Sequence, residues 1–391
     1  MERLCELPEE VLEDIMLRLS PDSLKHLKLT RKWWYFYINS LVDDPDFVAK
    51  HLRNMKNNLS SARNMIIWNL LAISHEEPDD READVEGALL VTVASDDIGG
   101  GDCVPCVTDD IKFLASDLDK EFCRVVSNCN GIICIYAHGE GDLVALLNPS
   151  QREFKIVLNA RDCDSVQTVG FGYDSKANDY KVVAIKSVPC TNTHEESPYK
   201  AELYTLTTDS WKEIEMDDEA IDFPPHDHQT LYCNGVCYWY FLSSEFIAFD
   251  VHDEEFFTLE LPDQGSRLTE WESAEELSKI AVWNDSLVFF LYIEEQPMFI
   301  DMWVLEYGVD DSYFWVRHQR IGPLVDISSP LAFWQCDILL LKTKSGEIVS
   351  CNIRAKMISD YTLQLPIVSL VICEASLVSV LRERQRALMQ R

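Results

Sequence analysis

Five short turn signals recur along the chain and limit its fold more than any other feature. Asn130-Gly131 precedes IICIY, Asn178-Asp179 precedes YKVVAI, and Asn234-Gly235 precedes VCYWYF. Asn284-Asp285 precedes SLVFFLY, and Gln335-Cys336-Asp337 precedes ILLLKT. Asn, Asp and Gly tolerate the left-handed backbone of a tight hairpin, so each signal marks where one strand folds back into the next. The spacing is about fifty residues, the length of one multi-stranded unit in a repeat architecture.

Each unit repeats one internal order: turn, strand, variable loop, strand, second turn. Leu143–Leu147 runs into Asn148-Pro149-Ser150, and Ala201–Leu206 into Thr208-Asp209-Ser210-Trp211. Phe246–Phe249 runs into Asp250–Glu255, Met302–Tyr307 into Val309–Ser312, and Ile348–Ile353 into Arg354–Lys356. Four antiparallel strands per unit fit this order, as in the blades of a kelch-like β-propeller, with Trp211 and Trp315 filling the spaces between blades. A β-sandwich would turn at shorter, less regular intervals. The propeller is expected to begin near Met65 and to close with a strand drawn from Ile367–Val380, leaving no open edge. Its first unit, Ile66–Ile111, is the least regular; Gly99-Gly100-Gly101 there lacks the lysine and spacing of a phosphate loop.

The N-terminus reads differently. Pro8 suits a first helical position, Glu9 and Glu10 favour the helix dipole, and Val11, Leu12, Ile15, Met16 and Leu19 recur at helical spacing. Ser20 can cap a second helix that opens with Pro21 and carries Leu24 and Leu27. Lys32–Leu41, rich in aromatics, forms a third segment, and Asp46–Leu52 a fourth helix. So small a module cannot bury this much apolar surface by itself. Either it caps the following domain, or it offers a docking face to a second protein.

The order Leu7-Pro8, Glu10, Val11-Leu12, Ile15, Leu19, Ser23-Leu24, Lys32 and Trp34 resembles the F-box, a three-helix motif that binds the Skp-type adaptor of cullin-based ubiquitin ligases. Three positions depart from it: Ser20 stands where the family usually has Pro, and Leu29 and Arg31 where plant members often have small residues or Cys. The resemblance implies an adaptor-binding set of Leu7, Pro8, Val11, Leu12, Ile15, Leu19, Leu24, Leu27 and Trp34.

The propeller carries a second resemblance. Cys129-Asn130-Gly131, the run Asn148–Lys155, Gly170–Asp174, Asp179–Val183, Glu202–Leu206 with Asp209–Lys212, and Glu374–Val378 are similar to the F-box-associated domain of plants, most of all to the S-locus F-box group. That group implies a pollen receptor that binds pistil S-ribonucleases and marks them for ubiquitination. The expected plan is α+β and multidomain: an F-box module over 1–52, a linker over 53–64, a propeller over 65–381 and a basic tail over 382–391. A receptor for an unrelated plant protein, or a kelch-type enzyme or scaffold whose helical head packs in cis, are the alternatives.

Charge and composition narrow the partners. Lys+Arg 34 against Asp+Glu 67 gives a net charge of −33, which opposes nucleic acid and anionic membranes. The acidity is dense in segments expected to be loops, so Glu76, Glu77, Asp79, Asp80, Asp217, Asp218, Glu219 and Asp222 are the candidate contacts for a basic substrate. The thirteen cysteines, in a chain with no visible leader, are expected to be reduced thiols in an intracellular, cytoplasmic protein. Cys103-Val-Pro-Cys106 and the His226-Asp227-His228 pair lack further ligands at metal-site spacing, so no metal or other cofactor is expected. GxSxG, HExxH and kinase signatures are absent, which argues for a non-catalytic subunit.

Overall fold

The computed structural model describes residues 7–57, 63–69, 89–94, 106–112, 122–138, 142–160, 165–187, 199–216, 229–241, 245–262, 278–292, 297–308, 312–335, 337–355, 357–363 and 369–381. Four helices come first: α1 (Glu9–Met16), α2 (Pro21–Thr30), α3 (Lys32–Val42) and α4 (Pro45–Asn57). Pro8 is not the first helical residue; its extended ψ of 146° makes it the N-cap, and Glu9 opens the helix. Ser20 caps α2 as its chemistry suggests, its Oγ accepting from the Ser23 N–H at 3.2 Å. The fourth helix continues past Leu52 to Asn57, into the segment that its polarity marked as a linker. Its buried face explains the extension: Phe47, His51 and Met55 recur one turn apart.

The strands follow in chain order. They are β1 (Arg63–Asn69), β2 (Leu89–Ala94), β3 (Cys106–Lys112), β4 (Phe122–Cys129), β5 (Ile132–His138), β6 (Asp142–Asn148), β7 (Glu153–Ala160) and β8 (Ser165–Asp174). Next come β9 (Asp179–Ser187), β10 (Tyr199–Thr205), β11 (Ser210–Ile214), β12 (Gln229–Cys233), β13 (Val236–Tyr240), β14 (Glu245–Asp250), β15 (Glu255–Glu260) and β16 (Ser278–Trp283). The last are β17 (Ser286–Tyr292), β18 (Met298–Tyr307), β19 (Tyr313–Leu324), β20 (Ile327–Gln335), β21 (Ile338–Thr343), β22 (Ile348–Asn352), β23 (Met357–Leu363) and β24 (Ser369–Glu374).

Among the described residues these strands form six four-stranded antiparallel sheets. Five are sequential meanders, from β4–β7 to β20–β23. The sixth has the order β24-β1-β2-β3, so the last strand lies beside the first, with Glu374 opposite Arg63 and Ser369 opposite Trp68. The inner strands β4, β8, β12, β16, β20 and β24 each pack on the next around a central channel, closing a six-bladed propeller. The first sheet looked irregular because its inner strand comes from the other end of the chain.

The recurrent turns are the hairpins between the first two strands of the five sequential blades. Asn130-Gly131 (φ 53° and 77°), Asn234-Gly235 (48° and 91°) and Asn284-Asp285 (48° and 58°) are left-handed at both positions, as a two-residue hairpin requires. The apolar cores lie between neighbouring blades. Phe171 and Tyr180 of the third blade share a cluster with Ile132 and Tyr136 of the second; Trp239 of the fourth shares another with Val183 and Leu203 of the third. Trp211 and Trp315 do fill inter-blade space: their indole N–H groups donate to Val157 O at 2.9 Å and Glu260 O at 2.8 Å on the preceding blades.

Strand direction gives the ring two unlike ends. The hairpins at Asn130, Asn234 and Asn284 lie at the end where α3 and α4 sit. There Val42, Val48, Leu52 and Lys56 line the channel together with Asn130, Asn234 and Asp285. Asn69, Leu89, Ile214 and Gln229, the strand ends that flank the acidic segments, lie at the opposite end.

Candidate functional site

The helices form one small core: Leu12, Met16, Leu24, Trp34, Ile38 and Phe47 are buried together, with Leu7, Ile15, Leu19, Leu27 and Tyr37 partly buried around them. Leu12, Leu24 and Trp34, from the expected docking set, are 3%, 1% and 0% exposed and hold the helices together. Of the other expected residues, Pro8 is exposed and Val11 is 44% exposed, while Leu7, Ile15, Leu19 and Leu27 lie at the rim.

Other apolar residues of the head are exposed too. Leu29, Trp33, Tyr35 and Phe36 are exposed, Phe36 at 61%. Trp33 stacks on Tyr37 with centroids 5.0 Å apart, and Tyr35 packs edge-on against Phe36. The aromatic run of the third helix was visible in the sequence; which of its rings point outward was not, because consecutive aromatics carry no periodicity. The Tyr37 hydroxyl has its pKa raised, by desolvation and by the nearby Glu9 and Glu13 carboxylates.

A different face of the head meets the propeller. Beyond β24 the chain runs from Ala375 to Leu381 without regular structure, and Leu377 enters the helical core at 3% exposure. The motifs that marked the domain hold this strap. The Asn148 amide donates to Val378 O at 2.5 Å and to Ser376 O at 3.3 Å. The Ser376 N–H donates to Ser150 Oγ at 3.1 Å. Glu153 accepts from Ser379 Oγ at 2.7 Å and from the Val380 N–H at 2.9 Å. Gly131 lies so close that a Cβ there would stand 2.3 Å from Ser376 Cβ and 2.5 Å from Glu374 O. Cys129-Asn130-Gly131, the Asn148–Glu153 turn and Glu374–Val378 are therefore parts of one contact.

The other motif pair, Gly170–Asp174 and Asp179–Val183, ties the third blade to the fourth. Lys181, 8% exposed, donates to Asp174 at 2.8 Å, to Glu254 at 2.9 Å and to Val251 O at 2.9 Å. Burial alone would raise both carboxyl pKa values. Lys181 and the Ala177 N–H outweigh it at Asp174, and Lys212 and Lys181 outweigh it at Glu254, so both stay below their ordinary range. These charges are spent on structure.

The channel between head and propeller encloses about 1540 Å³, lined by apolar side chains such as Tyr232, Trp283 and Phe333 and by charged ones such as Lys56 and Glu374. Cys129, Cys134, Cys233, Cys237, Cys351 and Cys373 are free and buried, and burial pushes the Cys129 and Cys233 thiols up to about 12. They act as small apolar residues, not nucleophiles. Among the described residues no cluster of His, Cys, Asp and Glu could hold a metal, and no helix is long and apolar enough to cross a membrane. Cys103, His226, His228 and all eight candidate acidic contacts (Glu76, Glu77, Asp79, Asp80, Asp217, Asp218, Glu219 and Asp222) lie outside the described residues.

The described residues form a six-bladed ring with a helical head at one end. The chain belongs to the F-box-associated β-propeller family, whose model matches residues 102–376. It is similar to the F-box/kelch-repeat protein At3g23880 of Arabidopsis thaliana, 24% identical over 87% of this chain and 86% of the relative. It is also similar to the F-box protein CPR1 of the same plant, 24% identical over 98% of this chain and 94% of the relative.

Proposed function

We propose that this protein is the substrate-recognition subunit of a Skp–cullin–F-box ubiquitin ligase, with the four helices as its F-box module. The observation that carries the reading is the exposure of the head's apolar residues. Leu377 covers one part of the head, while Val11, Trp33, Tyr35 and Phe36 are each exposed elsewhere on it. A cap that served the propeller alone would need only the first part. Large apolar side chains left exposed are what a partner would cover. The Skp-type adaptor would contact Pro8, Val11 and Ile15 with Trp33, Tyr35 and Phe36, and a cullin would be reached through it.

The chain itself would catalyse nothing. It would hold a substrate lysine near ubiquitin activated on other subunits, so proximity is its whole contribution. We place it in the cytoplasm, with no cofactor, nucleic acid or membrane needed. Its substrate, in this reading, is a basic pistil S-ribonuclease recognised in pollen during self-incompatibility. The resemblance to the S-locus group and the net charge of −33 support that choice. So does topology: the strand ends Asn69, Leu89, Ile214 and Gln229, which flank the acidic segments, lie at the end away from the helices. A receptor for another plant protein is the second reading, favoured by the even 24% identity to relatives with no S-locus name.

Complementary fields raise association rates roughly ten- to a thousandfold at low salt. Association of basic S-ribonucleases with the purified receptor–adaptor pair should therefore slow steeply as salt rises beyond physiological strength. Asp217→Asn, Asp218→Asn and Glu219→Gln together should slow it further with the melting transition unchanged. A rate indifferent to both would leave the acidity as solvation and remove the basic substrate.

A further inference from the structure

The strap from Ala375 to Leu381 makes contacts with two parts of the molecule that separate stretches of sequence build. Upstream of it, β24 supplies the inner strand that closes the ring. Within it, Leu377 is buried among Leu12, Met16, Leu24, Trp34, Ile38 and Phe47. Its backbone is fixed to the second blade through Asn148, Ser150 and Glu153, and Val380 and Leu381 join the core between the second and third blades. On the same side, α2 approaches that blade closely enough for Arg152 and Glu153 to act on Lys25.

We infer that this strap sets the orientation of the helical head on the propeller, with Leu377 as the positioning residue. A side chain buried among four helices, on a backbone hydrogen-bonded to a blade, leaves the head one seat. Chain connectivity alone would not do this, because residues on either side of a single covalent link can rotate through several arrangements. The strap also makes the seat conditional on closure: the stretch that inserts Leu377 follows directly from the strand that completes the ring. Resting on the receptor reading, the consequence is that the substrate end of the propeller is held at one angle to the adaptor face.

The test uses the full chain alone, so its outcome is independent of whether an adaptor or a ribonuclease binds. Bioorthogonal spin labels replace Leu29 on α2 and Val325 between β19 and β20, both exposed, and the native cysteines are kept. Pulsed electron–electron resonance should give one narrow distance in this parent. Leu377→Ser should broaden the distribution at least twofold while the propeller's melting transition is kept, and Leu377→Met should restore it. If Leu377→Ser does not fold, Asn148→Ala with Ser150→Ala and Glu153→Ala removes the strap's side-chain anchors without opening the head core and should broaden the same distribution. A distribution that stays narrow in the folded variant would overturn the inference.

Discussion

Leu377 and Trp34 lie in the same buried cluster, though they come from opposite ends of the chain. The head therefore contains a residue of the propeller's closing segment, and its apolar positions divide into structural and presented ones. Leu12→Ala should cost about 2–5 kcal/mol, the usual range for emptying a packed aliphatic site. Val11→Asp should leave stability within roughly 0.5 kcal/mol, as surface substitutions do. Denaturant unfolding of the two variants checks the division.

Much of the ring was legible in the sequence, for a physical reason. A two-residue hairpin demands left-handed backbone, only a few residue types supply it, and so Asn130-Gly131 and Asn234-Gly235 announce their turns. The closing strand was legible as a short apolar run near the C-terminus. The partition of the head was not. Helical spacing shows that Val11, Leu12 and Ile15 favour one side, but it cannot show that Leu12 faces the core while Val11 stays at the surface. Nor does any local pattern in Glu374–Val378 reveal that Leu377 packs on helices far away in sequence.

Gly131 and Gly235 occupy equivalent turns in different surroundings. Both have positive φ, but Gly131 abuts the strap and Gly235 has nothing within 4 Å of a would-be Cβ. Gly235→Ala should cost only the backbone conformation, about 1–2 kcal/mol. Gly131→Ala adds displacement of the strap, an overpacking cost of about 1–3 kcal/mol more. Equal losses in equilibrium unfolding would refute the close approach.

Lys181 serves two buried or half-buried carboxylates at once. Lys181→Met takes the ammonium from Asp174, which sits at 3% side-chain exposure and keeps the Lys176 and Ala177 N–H groups and His252 Nδ1 as partners, and the loss should cost up to about 3–5 kcal/mol at neutral pH. The pH dependence has a defined sign. Asp174 and Glu254 have lowered folded pKa values, so their contribution is complete above the ordinary carboxylate range and is lost as pH falls through those lowered values. Lys181 is raised, so its share holds at neutral pH and fades only in strong alkali. Stability measured from pH 7 down to about 2 should fall less steeply in the variant than in the parent.

His51 sets a second pH limit, in the head. It is fully buried, its Nε2–H donates to Leu19 O at 2.8 Å, and desolvation lowers its pKa despite that bond. A lowered histidine contributes fully above its unfolded pKa of about 6.5, and the contribution is lost as pH falls below it. Amide exchange in α1 to α4 should quicken between pH 7.5 and 5.5, after correction for intrinsic rates. His51→Gln should remove that pH dependence.

The central claim is that the outer face of the head docks an adaptor while its inner face stays on the propeller. Amide exchange of the full chain, with and without a purified Skp-type adaptor, tests it most directly. A stable complex is expected, with new protection confined to α1–α3 around Val11, Trp33, Tyr35 and Phe36, and loss of the complex in Val11→Asp. Failure to form a complex, or protection that appears on the blades and spares α1–α3, would contradict it.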